Sequence, residues 1–359
     1  MVNMSLKIND MPDVPHWVNG CLDTPVGQVP QVATDLRWID RLGALMVRLN
    51  IWRMRYAVKP GLYAVGNPCS DSPVLVSANY KLSFDRLRQE LAGIDAWVMV
   101  LDTKGVNVWC SAGEGTFGTD EIVRRIEATG ISRLVTHRTI VLPQLSAPGV
   151  AAHEVKEQSG FRVIYGPVYA TDICRFLKNG MQATPDMRRI RFPLSARLAL
   201  VPVELIQGWR YTFLLAAVLF ILGGLNGAGY SPALALERGS RAALLVFIAF
   251  LGGGLLAPVL LPWLPGRAFS LKGAVVGFAL ACVTILPASW YTNAINGWLE
   301  VAAWFLMMPT IAAFMAMNFT GASTYTSLSG VKKEMRFAVP MQIVAGSAGF
   351  GLWVTAIFC

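Results

Sequence analysis

From about residue 210 the chain passes through five apolar stretches, about 210–228, 242–264, 271–290, 298–317 and 337–358. Each is close to the ~20 residues that a membrane-crossing helix needs. In lipid every backbone polar group must be satisfied within the segment, so five such stretches predict five helices. Arg210, Arg267, Lys272, Lys332, Lys333 and Arg336 fall on one side of this pattern, Arg238 and Arg241 on the other. The more basic side is expected to face the cytoplasm. This predicts a multi-pass protein of the cell's inner (cytoplasmic) membrane, its preceding residues cytoplasmic and its C-terminus outside. Trp263, Trp290 and Trp298 stand at span ends, where interfacial aromatics belong. Charge is missing from mid-span, with Glu300 near an outer end, which argues against an ion pathway.

The first 206 residues are of another kind. Met1 to Gly20 holds no apolar core and carries Pro12 and Pro15, so no cleaved export signal is expected. Residues 1–35 read as irregular, and Trp38 to Arg55 as an amphipathic helix with a basic face. From Gly61 strands and helices alternate. Strands are expected at Val74–Ser77, Ala96–Leu101, Arg133–Thr136, Thr139–Leu142 and Phe161–Tyr165. Helices are expected at Phe84–Leu91, 120–129, Gly149–Gln158 and Ala170–Lys178. That alternation implies a mostly parallel, Rossmann-like α/β sheet. The expected divisions are an extension at 1–60, a soluble α/β domain at 61–206 that ends in an Arg-rich connector, and an all-α membrane domain at 207–359.

Composition narrows the function classes. The net charge of +9 is spread over both halves, with no basic run interleaved with aromatics. Loops facing membrane lipid explain it better than nucleic acid does. Six scattered cysteines form no C-x-x-C, so no iron–sulfur cluster or zinc ribbon is expected in this chain.

The segment Gly105 to Thr119 reads as a short strand through Val106 and Val108, a glycine loop, and a helix capped by Thr119 and ended by Gly130. Cys110 sits where strand meets loop, the rim at which open α/β sheets bind ligands. Gly113-Glu114-Gly115-Thr116-Phe117-Gly118 matches G-x-G-x-x-G, a dinucleotide fingerprint. The acidic residue expected about 20 positions on is replaced by Leu134-Val135-Thr136-His137-Arg138. A buried, inert cysteine and a reactive or metal-ligating one both fit this position.

Asn107-Val108-Trp109-Cys110-Ser111-Ala112-Gly113 closely resembles the N-(V/I)-W-C-A-(A/G)-G-K signature of the corrinoid protein of microbial mercury methylation. That family joins a cytosolic corrinoid domain, similar to that of the corrinoid iron–sulfur protein of acetyl-CoA synthesis, to five membrane helices. The likeness continues through Gly115 to Thr119 and from Leu142 to Val150, and covers residues 61–359. Ser111 and Glu114 depart from it, standing for Ala and Lys.

The resemblance implies a membrane-anchored, corrinoid-dependent methyltransferase that passes a methyl group from cobalt to Hg(II), a thiol-bound substrate. It makes Cys110 the catalytic residue and the lower axial cobalt ligand. A thiolate is a soft donor that favours departure of the methyl group with its electron pair. Histidine ligation through D-x-H-x-x-G is absent, because Asp13-Val14-Pro15-His16 has the wrong spacing. Around Cys110 the cofactor contacts implied are Asn107, Val108, Trp109, Ser111, Ala112, Gly113, Gly115, Thr116 and Phe117. By position in the α/β pattern, other rim loops add Asn79, Thr103, Thr136, His137, Gln144, Gly149, Val150 and Gly166. Implied partners are a 4Fe–4S ferredoxin-like electron donor and a methyl donor, a methyl-folate or its methyltransferase. Two other readings stay open: a corrinoid methyl carrier for another acceptor, and a membrane transporter with a cytosolic nucleotide-sensing domain.

Overall fold

The computed structural model describes residues 15–290, 297–322 and 328–359. They divide into two compact units, the first running to Ile190 except for Arg48–Asn50, which group with the second, Arg191–Cys359.

The first unit is a seven-stranded sheet with helices on both faces. Its elements in order are β1 Val18–Thr24, β2 Gly27–Val32, α1 Trp38–Arg48, β3 Gly61–Val65, β4 Val74–Ala78, α2 Lys81–Gln89 and β5 Ala96–Leu101. Then come α3 Val108–Glu114, α4 Thr119–Thr129, β6 Thr139–Leu142, α5 Ala152–Ser159, β7 Arg162–Tyr165 and α6 Ile173–Lys178. The strand order is β1-β2-β3-β5-β4-β6-β7. Neighbours from β5 to β7 pair in parallel; β3 runs antiparallel to β5, and β1 antiparallel to β2. The sheet is therefore mixed, with a parallel half.

Period-two alternation builds the two cores. Val74, Val76, Trp97, Met99 and Leu101 point to one face and meet Ile122, Ile126 and Val155 of α4 and α5. Leu75, Val98 and Val100 point to the other and meet Phe84 of α2 and Phe176 of α6. Strands covered on both sides read as continuous apolar runs, which is why β4 and β5 were recognisable. After β4 the chain adds β5 on one side, then crosses through α3 and α4 to β6 on the other. This reversal puts the topological switch point between β4 and β6, and open α/β sheets take ligands at the carboxyl ends of such strands.

Several expectations are corrected. Within residues 15–35, expected to be irregular, β1 and β2 form a hairpin that extends the sheet, although the segment was assigned to a separate extension; residues 1–14 lie outside the described ones. Their alternation is broken by Gly20, Asp23 and Pro30, so the pattern was faint. No strand forms at Arg133–Thr136: Ile131–Arg133 is a 3-10 turn, and Leu134 and Val135 are buried by packing alone.

The amphipathic segment is α-helical only over Trp38–Arg48, with a short 3-10 turn at Arg53–Arg55. Its inner face is held by an ion cluster that sequence reading missed. Asp40, 2% exposed, accepts from Lys81 Nζ at 2.6 Å, His16 Nε2 at 2.8 Å and Arg88 Nη2 at 3.0 Å. Asp85 accepts from the same Lys81 and Arg88, at 2.7 and 2.8 Å. Burial alone would raise the Asp40 pKa, but the hydrogen bonds from Lys81 and His16 and the charges of Lys81 and Arg88 hold it at about 2. The opposite face leaves Trp38, Leu42 and Leu45 exposed.

In the second unit, five helices among the described residues are long and apolar enough to cross a membrane: Leu194–Leu222, Pro232–Leu260, Phe269–Ser289, Trp298–Phe319 and Gly330–Phe358. The first starts well before the expected residue 210 and takes in half of the Arg-rich connector, leaving Arg210 inside the helix. Arg197 explains the miss. Its Nη1 donates to Pro258 O at 2.9 Å and Val259 O at 2.6 Å, the last carbonyls of the second helix. A charge that caps a neighbouring helix end is buried without breaking its own helix. Trp263 and Trp298 are exposed at helix ends; the Trp290 side chain lies outside the described ones. Near-span charge is also paired: Arg241 Nη2 lies 3.2 Å from Glu300 Oε1.

Candidate functional site

The expected strand through Val106 and Val108 does not form. Asn107 ends the loop in an extended conformation, and its side-chain Oδ1 accepts the backbone N–H of Cys110 at 2.9 Å. This is an N-cap, and the helix α3 starts at Val108. Ser111 turns inward and donates from Oγ to Asn107 O at 2.6 Å. Gly115 ends α3 with φ of 86°, a left-handed conformation that suits glycine. The chain then folds back, Phe117 N donating to Ser111 O at 3.0 Å while the Phe117 ring fills the core at 0% exposure.

The helix sorts the motif by face. Ser111 and Ala112 are buried; Gly113 and Glu114 are exposed, and Cys110 is half-buried with a free thiol. Cys110 and Glu114 are four residues apart, one above the other on the outer face. Val108, Trp109 and Thr116 are half-buried along the same segment. The glycine pattern does not have its fingerprint context. Gly113 lies inside α3 and Gly118 is the N-cap of α4, so no strand leads into the glycines. This corrects the dinucleotide reading.

Three further loops stand at this carboxyl edge of the sheet, and the one after β6 packs against α3. Asn79, after β4, accepts at Oδ1 from Thr103 N at 3.1 Å and Gly105 N at 2.9 Å, with Thr103 Oγ1 at 2.8 Å. Both side chains were expected to touch a cofactor. Both are buried, at 5% and 0% exposure, and their polar atoms are spent tying the β5 loop that carries α3. Gln144 follows β6, and its Oε1 is buried with no hydrogen-bond partner among the described residues. Gly149 ends that loop against α3: a Cβ there would lie 2.7 Å from Ala112 O and 2.6 Å from Phe117 O. Only a residue without a side chain permits this approach. Val150 O accepts from Tyr165 OH at 2.9 Å, and burial raises the Tyr165 pKa. Gly166 is buried after β7, packed towards Val141.

Thr136 and His137 are not part of this assembly. They precede β6 and so stand at the opposite edge of the sheet. Thr136 Oγ1 donates to Asp71 Oδ1 at 2.6 Å. His137 Nε2 lies 2.9 Å from Ser72 O and its Nδ1 3.3 Å from Thr139 N, so both ring nitrogens are engaged within the protein. The misplaced strand at Arg133–Thr136 moved them to the wrong rim. Sequence reading also missed Glu121. Its Oε1 accepts Asp102 N at 2.8 Å, fastening α4 to the end of β5. Burial would raise the Glu121 pKa, but the Asp102 N–H and the guanidinium groups of Arg125 and Arg124 lower it. An acidic first helical turn next to a strand end was the available signal.

No group of three or more His, Cys, Asp or Glu side chains capable of holding a metal ion occurs among the described residues.

Residues 40–177 match the family described as CO dehydrogenase/acetyl-CoA synthase delta subunit. The chain is also similar to the acetyl-CoA decarbonylase/synthase complex subunit gamma of Methanocaldococcus jannaschii, 33% identical over 129 residues, 35% of this chain and 26% of the relative. The subunit of the same name from Archaeoglobus fulgidus is 33% identical over 129 residues, 34% of this chain and 27% of the relative. That of Methanopyrus kandleri is 35% identical over 123 residues, 34% of this chain and 26% of the relative. The chain thus spans about a quarter of the length of the curated relatives it matches. The matched residues take in α1 to α6 and Cys110; the apolar helices lie beyond them.

Proposed function

We propose that this chain is a membrane-anchored corrinoid protein that methylates Hg(II). The observation that carries the reading is the position of Cys110: a half-buried thiol in no disulfide, on the outer face of α3, the helix against which the loop after β6 packs through Gly149. The similarity of residues 40–177 to subunits of acetyl-CoA synthase complexes and the five apolar helices support it.

The residues present fit a cobalt corrinoid. The macrocycle brings four equatorial nitrogens, so a lone thiolate is the donor set required of the protein. An added Cβ at Gly113 or Gly115 meets no atom within 4 Å, so the surface there is open to a flat ligand. Gln144 Oε1 is an acceptor in need of a donor, and corrin side chains carry amide N–H groups. A corrinoid held there would supply a methyl group transferable with its bonding electron pair to the soft Hg(II) substrate.

The protein residues have three tasks. Cys110 would hold the metal through its sulfur, a soft donor suited to cobalt. Asn107 caps α3 at the Cys110 N–H and thereby fixes the thiol's direction. Asn79, Thr103 and Gly149 lock the loops that present α3, acting as positioning residues. The chain supplies no cysteine run for an iron–sulfur cluster, so a separate 4Fe–4S ferredoxin-like protein is assigned the reduction of cobalt. A methyl-folate or its methyltransferase is assigned the methyl supply. The α/β unit is assigned to the cytoplasmic side of the inner membrane.

One observation favours a second reading. Glu114 shares the outer face of α3 with Cys110, and like charges one turn apart are unfavourable on a helix. A corrinoid methyl carrier for another acceptor would account for it. The test is anaerobic incubation of the methylated full-length protein with a Hg(II) thiolate. Methylmercury, with cobalt bound in stoichiometric amount, supports the first reading. Bound corrinoid without methylmercury gives the second. A nicotinamide or flavin in the extracted cofactor removes both.

A further inference from the structure

Within the apolar helices lies a crevice of about 310 Å³, bounded by the first, second, fourth and fifth of them. Its wall is apolar apart from a few groups. Gln342 lines it, and the Gln342 Nε2 amide nitrogen is buried with no hydrogen-bond partner among the described residues. Thr212 and Thr310 also line it. Each donates its hydroxyl proton to its own helix, to Gly208 O at 3.0 Å and Leu306 O at 2.7 Å. Both hydroxyl oxygens are left with acceptor capacity only. Tyr211 and Ile343, 74% and 62% exposed, stand at the mouth on the side turned away from the other helices.

An unpaired amide inside hydrocarbon is costly, since no water reaches it. A structure that keeps one beside an open crevice offers a donor to something that enters. The lining contains no Asp, Glu, Lys, Arg or His, so nothing there could neutralise a charged ligand. That excludes a metal ion, a Hg(II) thiolate bearing net charge, and a folate. The volume stands at the lower end of the ~300–1,000 Å³ of small-molecule sites. The mouth opens among exposed apolar side chains, which face lipid when these helices span a membrane.

We infer that this crevice binds a neutral, lipid-soluble molecule through a carbonyl oxygen that accepts from Gln342 Nε2, its hydrocarbon portion lying against Leu215, Ile311 and Phe314. Two sources share this chemistry: the ester carbonyl of a membrane lipid and the ring carbonyl of an isoprenoid quinone. The inference requires the second unit to be embedded in a membrane. It is independent of what Cys110 does.

The full chain in nanodiscs is irradiated with one of two probes, a phosphatidylcholine with a diazirine acyl ester chain or an azidobenzoquinone with an isoprenoid tail. Adducts are mapped by mass spectrometry. Adducts concentrated in 208–215 and 339–343 are expected with at least one probe, and the probe that labels identifies the source. Gln342→Leu should lower them about fivefold or more, the worth of one hydrogen bond. Ile343→Trp, at an exposed mouth position, should block them while leaving thermal unfolding unchanged. Adducts spread evenly over the lipid-facing helices, labelling by neither probe, or labelling indifferent to Gln342→Leu and Ile343→Trp would each overturn the inference. No readout depends on cobalt or methyl transfer.

Discussion

Gly149 is pressed against Ala112, so that the loop after β6 and the helix bearing Cys110 touch backbone to backbone. This contact fixes the height of α3 over the sheet edge. Gly149→Ala would put a methyl group 2.6–2.9 Å from three backbone atoms of Phe117 and Ala112. It should cost about 1–3 kcal/mol and lower the bound cobalt. Gly113→Ala, inside α3 on the open outer face, should raise stability by up to about 1 kcal/mol, alanine being the better helix former. Denaturation of both variants beside the parent, with cobalt per chain, checks the pair. Equal stability of all three would show that the contact does not restrain α3.

Cys110→Ala should leave the fold intact, because the residue is half-buried and its thiol has no protein partner. Methyl transfer should vanish. Cys110→Thr should behave almost the same, a hydroxyl being a poor soft-metal ligand. Full activity of the alanine variant would exclude the axial thiolate.

Glu114→Lys replaces a like charge beside the thiolate by an opposite one on the same face of α3. Stronger cobalt–sulfur coordination is expected in the visible spectrum, with equal or higher methylation of Hg(II). Loss of activity with the corrinoid retained would instead give Glu114 a part in the native reaction and favour a different acceptor.

The Asp40 cluster predicts acid sensitivity. The folded pKa of about 2 is below the ordinary 3.8, so the stabilisation is complete above the unfolded value and fades as pH falls from about 4 towards 2. The shift corresponds to about 2 kcal/mol. Asp40→Asn removes the charge that Lys81 and Arg88 share, and should cost about 3–5 kcal/mol at neutral pH. Thermal unfolding of both proteins between pH 6 and 3 should show the gap narrowing as acid protonates the parent. A constant gap would mean that the cluster contributes through packing alone.

Much of the architecture was written in local pattern. The apolar runs that became β4 and β5, the 3.6-residue period of α4 and the five long hydrophobic segments are each complete within a short window. The signature around Cys110 is equally local, which is why residues near in sequence were assigned together. The N-cap by which Asn107 makes Val108 a helix start is local as well, and was a local signal misread. Three things needed the tertiary structure. Which rim His137 occupies depended on Arg133–Thr136 forming no strand, the Thr136 N–H going instead to Ser70 O. Whether Asn79 meets a ligand or the protein depended on Thr103 and Gly105 arriving from another strand. Whether Arg197 ends a helix or sits inside one depended on carbonyls some sixty residues away. Hydrophobic periodicity is a property of the chain alone. The satisfaction of a polar group depends on who its partner is, and that is decided only when distant segments meet.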